Sequence, residues 1–408
     1  MEYCIKRLGS ITTLITKGTT PSNIGETFTN QGVMFFRSEL IGKTKHVDKS
    51  KGLLFISEET HKKLKRSQIK CGDLLFSIAG AYLGKLSLVA VDDVPSNTNQ
   101  VVALIRFKPN VCNIDYVYYY MLQEWYNEYI CSFNAQAAQP NINLEQISKL
   151  KLNLPSREKQ DKIASILSVY DDLIENNNKR IKILEQMAEN LYKEWFVRFR
   201  FPDYQNTEFE NGIPKGWKII QVQDLFDISI GRTPDRKVFE YFSNNQSDYL
   251  WISIADMKDK MFVMSSAEYL TCDAIRKVNM PMVSENTVIL SFKLSVGRVA
   301  ITTQLSCTNE AIAHFNTNNK QLVEYTYLYL KFFQYQDLGN TSAIGNAVNS
   351  TIIRKMKFLY PDGEIVRVFH LQIKDVFNEI KLLSRKNQNL IKQRDMLLPR
   401  LMSGKLEV

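Results

Sequence analysis

The sequence repeats itself once at the scale of a domain, and that repetition constrains the fold more than any local pattern does. Gly18-Thr19-Thr20-Pro21 returns as Gly231-Arg232-Thr233-Pro234. Leu74-Leu75-Phe76-Ser77 followed by Gly84-Lys85 returns as Val288-Ile289-Leu290-Ser291 followed by Gly297-Arg298, and Thr98-Asn99-Gln100 returns as Thr308-Asn309-Glu310. Asn143 to Pro155 matches Asn349 to Pro361, with Ile147, Leu150 and Lys151 answering Ile353, Met356 and Lys357. Each half thus holds one unit of about 150 residues, too long for a solenoid repeat and the right size for a domain. Within each unit, β-rich runs (Asp73 to Ile78, Val101 to Phe107, Thr287 to Phe292) are punctuated by Gly, Asn, Ser and Pro. Tyr- and Leu-rich stretches at helical spacing (Tyr116 to Tyr129, Leu322 to Tyr335) lie between them, so an α+β globule is expected twice.

After each globule the hydrophobic period changes to seven. Ile163, Leu167, Tyr170, Ile174, Asn177, Ile181, Leu184, Ala188, Leu191 and Trp195 alternate steps of four and three; so do Phe369, Ile373, Val376, Ile380, Leu383, Asn387, Leu390, Arg394, Leu397 and Leu401. Such runs predict two coiled-coil helices, each roughly 50 to 60 Å long at 1.5 Å per residue. Pro155-Ser156 and Pro361-Asp362 mark their starts, and Pro399 should stop or kink the second. The expected fold is therefore two repeated mixed α/β domains separated by two long antiparallel helices. The segments are 1–155 (first domain), 156–200 (central helix), 201–361 (linker and second domain) and 362–408 (C-terminal helix and tail). If the helices pair with Asn177 opposite Asn387, then Tyr170 faces Arg394, Leu184 faces Ile380 and Ala188 faces Val376. The seam is drawn from Leu167, Tyr170, Ile174, Asn177 and Leu184 against Ile373, Val376, Ile380, Asn387 and Leu390, and a buried Asn pair would specify its register. Solvent exposure of both Asn side chains is the competing account.

Composition narrows the function. The 408 residues carry 52 Lys plus Arg against 43 Asp plus Glu, a net charge of +9 that permits a nucleic-acid partner without demanding one. No apolar run approaches the ~18 residues of a membrane span, and the N-terminus does not look like a signal peptide, which points to the cytoplasm. The six cysteines stand singly and read as small buried apolar residues in a reducing compartment. The four histidines form no metal-binding pair, so no metal site is expected. Gly80-Ala81-Tyr82-Leu83-Gly84-Lys85 has three residues between its glycines where a P-loop needs four, and reads as a turn between strands. Dinucleotide loops, nucleophile elbows and amino-methyltransferase motifs are missing from the sequence. Acidic pairs such as Asp92-Asp93 and Asp171-Asp172 read as solvated turns or helix starts rather than catalytic carboxylates.

Repeat, heptads and missing catalytic motifs converge on a resemblance to the DNA-specificity subunit of type I restriction-modification enzymes. It covers nearly the whole chain and is carried by the junctions: Pro155 with Glu158-Lys159-Gln160, Ile163-Ala164-Ser165-Ile166-Leu167, Asp171-Asp172-Leu173-Ile174, Leu191-Tyr192-Lys193-Glu194-Trp195-Phe196, Gly212-Ile213-Pro214-Lys215-Gly216-Trp217, and Leu397-Leu398-Pro399-Arg400-Leu401-Met402-Ser403-Gly404. Gly363-Glu364-Ile365-Val366 departs from the usual Glu-Gln start of the second helix. The resemblance implies a non-catalytic chain with two target-recognition domains, each reading half of a split sequence in double-stranded DNA. It implies no cofactor in this chain. Two modification subunits would bring S-adenosylmethionine and flip the adenine, and restriction subunits would bring ATP and Mg2+.

Candidate DNA contacts are polar residues expected in turns at matching places of both repeats. In the first domain they are Thr19, Thr20, Arg37, Ser38, Ser77, Lys85, Asn97, Asn99, Gln100, Gln139, Asn141 and Asn143; in the second, Arg232, Thr233, Ser253, Lys258, Ser291, Lys293, Arg298, Thr308, Asn309, Asn346 and Asn349. Arg and Lys can pair with guanine edges, Asn and Gln with adenine, and Ser, Thr and Lys with phosphate. Asn, Ser and Gly also serve turn geometry, which accounts for the same residues without DNA. The clusters Lys43-Lys45-Lys49-Lys51 and Lys62-Lys63-Lys65-Arg66-Lys70 read as phosphate trackers or solvated loops. Tyr192, Trp195, Phe196 and Phe199 beside Arg198 and Arg200 read as a docking or inter-domain anchor, or as core. A structural adaptor that binds only protein partners is the rival function.

Overall fold

The computed structural model describes residues 4–42, 44–49, 52–133, 141–335 and 349–408. Compactness divides the chain into two units, 1–176 with 389–408 and 177–388. The division falls inside both long helices, so each unit consists of one globule and its own stretch of helix pair, where the sequence suggested four consecutive segments.

The first unit is built on a four-stranded antiparallel sheet, in the order Thr12–Lys17, Val102–Phe107, Leu74–Ser77, Leu86–Leu88. A second sheet orders Leu54–Ile56, Val33–Phe36 and Ser96–Thr98, the last two parallel. A strand near the N-terminus, Cys4–Arg7, pairs antiparallel with Lys151–Leu154 and brings both ends of the globule together just before the first long helix. The second unit repeats the plan. Asp227–Ile230, Ile312–Asn316, Val288–Ser291 and Val299–Thr302 form the equivalent antiparallel sheet, extended by Phe262–Val263. Glu268–Leu270, Tyr249–Ile252 and Ser306–Thr308 form the equivalent of the second sheet, extended by Phe242–Ser243, and Lys218–Gln221 closes against Lys357–Tyr360.

The Tyr-rich stretches become helices that brace this closure. Tyr116 and Tyr126 donate their hydroxyls to the carbonyls of Asn153 and Lys151, at 3.0 and 3.1 Å. Tyr325 and Tyr329 do the same to Leu359 and Lys357 in the second unit. Tyr116 to Tyr129, expected as one helix, is two (Ile114–Leu122 and Glu124–Ser132), broken at an extended Gln123.

The long helices run Arg157–Tyr192, finishing in a π turn at Lys193–Val197, and Gly363–Met402. The second passes through Pro399 rather than ending there. Proline removes one hydrogen bond in the last turn, while Leu398, Leu401 and Met402 bury with Ile163, Ala164 and Leu167 in the first unit's core. In the second unit, Asn177 Nδ2 donates to Asn387 Oδ1 at 2.8 Å, both residues buried, and Asn387 Nδ2 donates to Asn178 Oδ1 at 2.8 Å. Trp195 meets Phe369 at 5.5 Å between ring centres, and Ala188, Ile373 and Ile380 share the same core with Leu184 and Val376 packed against it. Contacts that climb one helix while descending the other define an antiparallel pair. In the first unit Arg394 reaches Asp171, the neighbour of its expected partner Tyr170, and Asp171 also accepts from the Tyr119 hydroxyl. Leu167 and Ile174 are buried, whereas Leu390 is half-buried.

Tyr192, Trp195 and Phe196 are core residues of the second unit and not a free anchor: Tyr192 stacks on Phe332, and Phe196 packs between Tyr325 and Phe369. Phe199 packs edge-on to Trp217. Of the cysteines expected to be buried, Cys112 and Cys307 are, whereas Cys4, Cys71, Cys131 and Cys272 are exposed.

Candidate nucleic-acid interface

Strand register gathers most of the candidate residues at one end of each domain. In the first, Lys17 lies opposite Ala103, Ser77 opposite Val102 and Phe76 opposite Leu86. The segments after Lys17 and Ser77 and before Val102 and Leu86 therefore emerge together. The parallel pairing of Phe36 with Thr98 sends Arg37 and Asn99 to the same place, since the Thr19 amide donates to Thr98 O at 3.0 Å. Thr19, Thr20, Arg37, Ser38, Lys85, Asn99 and Gln100 meet there, joined by Asn141, whose backbone bridges to Ala79. In the second domain the same geometry collects Arg232, Thr233, Ser253, Lys293, Arg298 and Asn309, with Arg232 N on Thr308 O at 2.9 Å and Asn309 N on Ile252 O at 3.0 Å.

The glycine of each Gly-x-Thr-Pro motif makes this assembly possible. A Cβ on Gly18 would sit 2.0 Å from Thr98 O, and one on Gly231 would sit 2.0 Å from Thr308 Oγ1. The motif's threonine then clamps the crossing loop: Thr20 Oγ1 donates to Gln100 Oε1, and Thr233 Oγ1 to Glu310 Oε2. Polar atoms without a partner also collect at the first domain's end. Arg37 Nε, Ser77 Oγ, Asn99 Oδ1 and Asn127 Oδ1 (the last against Gly84) are buried and have no partner among the described residues. Buried polar groups are ordinarily satisfied, so such a cluster marks a surface not built for packing alone.

Several sequence candidates are buried in the strands beneath this end or lie away from it. Ser77, Asn97, Ser291 and Thr308 are strand residues with no exposure, and not turn residues at the surface. Asn97 bonds Leu64 O and Ser67 Oγ at 3.2 Å, and Thr308 bonds His314 at 2.7 Å. At Asn97 and Thr308 polarity serves the interior. Asn143 and Asn349 cap short helices, accepting from Gln146 N at 2.8 Å and Ile352 N at 2.9 Å. Lys258 is exposed on the connection after Ser253, while Ser253 itself holds Asp256. Gln139 and Asn346 lie outside the described residues, as do Lys43 and Lys51. The basic clusters are largely compensated. Lys45 is buried between Asp115 (2.7 Å) and Ser168 (3.0 Å), Lys49 pairs with Asp93 at 2.8 Å, and Lys63 pairs with Glu26 at 2.7 Å. Lys62, Lys65, Arg66 and Lys70 remain exposed.

The sequence reading missed Glu310. An acid is an unpromising DNA contact by charge alone, yet the repeat sets it opposite Gln100, and that alignment was the available signal. Nearby, Arg236 is spent: its guanidinium is bidentate to Glu268 (2.6 and 2.9 Å) and lies over the rings of Phe242 and Trp251 at 4.4 and 4.8 Å.

Each domain therefore ends in a polar, loop-built platform on a rigid sheet, and among the described residues no His, Cys, Asp and Glu cluster could hold a metal ion. No helix among them is long and apolar enough to cross a membrane. A duplicated platform of this kind, carried on a paired-helix scaffold, defines a recognition module. The chain belongs to the type I restriction modification DNA specificity family, whose model matches residues 2–186 and 214–392. It is a type I specificity subunit, and DNA target recognition is the role of that family. It is 24% identical to the HindI specificity subunit of Haemophilus influenzae (84% of this chain, 88% of that one) and 26% identical to the MjaIX specificity subunit of Methanocaldococcus jannaschii (96% and 90%). The fold matches the crystal structure of a type I S subunit from M. genitalium with TM-score 0.59 at 14% identity, covering 98% of this chain and 96% of that one.

Proposed function

We propose that each domain reads one half of a bipartite target in double-stranded DNA through its platform, and that the helix pair fixes the unread gap between the halves. The observation that carries this reading is duplication with divergence: one fold occurs twice, with the same glycines and clamping threonines but different outward side chains. Base contacts specify and phosphate contacts position, so a shared scaffold with altered tips suits two different half-sites. The Asn177–Asn387 bond supports the spacer role, because a buried polar pair penalises any slipped register. Two modification subunits supply S-adenosylmethionine chemistry, and restriction subunits supply ATP- and Mg2+-dependent cleavage; this chain supplies the address. Its modest charge fits a surface completed by those subunits, so the isolated chain should bind DNA weakly.

Methylome sequencing of cells expressing this chain with its modification partner should return a motif in two parts with a fixed gap. A single continuous motif would contradict the two-reader proposal. Lengthening both helices by one heptad should change the permitted gap, since each base pair advances a half-site by about 3.4 Å. Protein assembly without salt-dependent, sequence-selective DNA binding would instead identify an adaptor.

A further inference from the structure

We infer that Gln100 and Glu310 are matched base-reading side chains whose outward polarity is set by the threonines that clamp them, so that the second domain accepts a hydrogen bond from an exocyclic amine where the first donates one. The inference rests on the platforms facing DNA. Both residues follow a buried strand and a half-buried Asn, and both are exposed. Each is held by the threonine of its own Gly-x-Thr-Pro motif. One oxygen of each side chain is thereby engaged. Gln100 is left presenting its amide NH2 as a donor, whereas Glu310 is left with a carboxylate oxygen, which can only accept.

The two arginines of the second platform are already committed. Arg232 donates to Val278 O at 2.6 Å and Asn279 O at 3.0 Å, and Arg298 donates to Ile254 O at 2.9 Å. These arginines brace loops. Among the described residues Glu310 forms no ion pair, and the nearby Arg236 is held by Glu268. A carboxylate facing the phosphate-lined duplex is unfavourable unless it meets a donor, and the donors that bases offer in the major groove are cytosine N4 and adenine N6. Gln100, presenting NH2, suits an acceptor edge such as guanine O6 or thymine O4.

The test uses the complex with its modification subunits, on duplexes of the target found by methylation mapping. Purine replaces adenine, or 2-pyrimidinone replaces cytosine, at one position at a time. Wild-type complex should lose roughly tenfold or more in affinity at one position of the second domain's half-site, the discrimination a well-made base contact supplies. Glu310→Ala should bind the natural target correspondingly less well and show no further loss at that position, with every other position unchanged. Gln100→Glu should weaken binding by a similar factor and leave the second half-site's profile as in wild type. Identical analogue profiles for wild type and Glu310→Ala at every position would overturn the assignment. If Lys293→Ala and Arg37→Ala also leave binding untouched, the platform reading falls as well; if they weaken it, only the assignment of Glu310 falls.

Discussion

The two platforms share a backbone and differ in how it is held. Ser291 in the second domain bonds both the Arg298 amide (3.0 Å) and the Ser295 carbonyl, and Asn309 Oδ1 accepts from Ala311 N at 3.2 Å. Their counterparts in the first domain, Ser77 Oγ and Asn99 Oδ1, are buried without partners among the described residues. Both loops turn through the left-handed glycine that the repeat shares, Gly84 at φ 82° and Gly297 at φ 91°, and the first adds a second at Gly80, φ 70°. The second reader thus adds side-chain bonds to a backbone turn that the two share, so a common fold does not imply equal preorganisation.

The sheets beneath differ in the same manner. Asp73, almost without exposure, receives two bonds from Arg106 (2.8 and 2.7 Å) in the first domain. The matching strand positions in the second hold Thr287 and Asn316. Conversely, Leu104 is matched by His314, which lies between the hydroxyls of Ser229 (2.8 Å) and Thr308 (2.7 Å).

The largest expected effect breaks the first of these contrasts. Arg106→Ala leaves the buried Asp73 carboxylate with no cationic partner and only the Lys70 amide at 2.7 Å, and should destabilise the first domain by about 3 kcal/mol. Asn316→Ala should cost the second domain only about 1 kcal/mol. Hydrogen exchange read separately for the two domains checks both values, and equal losses would erase the distinction.

Next comes pH. Burial pushes the His314 pKa down to about 4, against an ordinary value of 6.5. Between those values the unfolded chain binds the proton and the folded domain does not, so His314's contribution is complete above pH 6.5 and declines as pH falls towards 4. The loss amounts to roughly 3 kcal/mol at 1.36 kcal/mol per pH unit. Denaturation at a series of pH values should show this slope in the second domain, and His314→Leu should remove it.

The smallest effect separates the platforms themselves. Ser291→Ala should cost about 1 to 2 kcal/mol by stranding an amide and a carbonyl. Ser77→Ala should stay within about 0.5 kcal/mol, because no bond is lost there. A large penalty at Ser77 would show that the first platform is held more firmly than its bonding suggests.

Much of this was legible from the sequence because its signals are periodic or duplicated. The heptads located both long helices, and the Asn177 and Asn387 positions indicated a register whose hydrogen bond the structure contains. Ser77, Asn97, Ser291 and Thr308 misled for a local reason. Polar residues near Gly and Asn resemble turns, but distant strands close over them, and at Asn97, Ser291 and Thr308 the buried hydroxyl or amide finds interior partners. Lys45 misled similarly, since Asp115 and Ser168 reach it from elsewhere in the chain.

By itself, then, the sequence determined that there are two like domains and two seven-residue-period helices, because repetition and periodicity are properties of a chain read in order. Tertiary structure alone decided which polar side chains face outward together. That depends on strand register, which places the residues after Lys17, Phe36, Ser77 and Thr98 at one end, and on the close approach at Gly18 and Gly231 that lets one threonine hold Gln100 and the other Glu310.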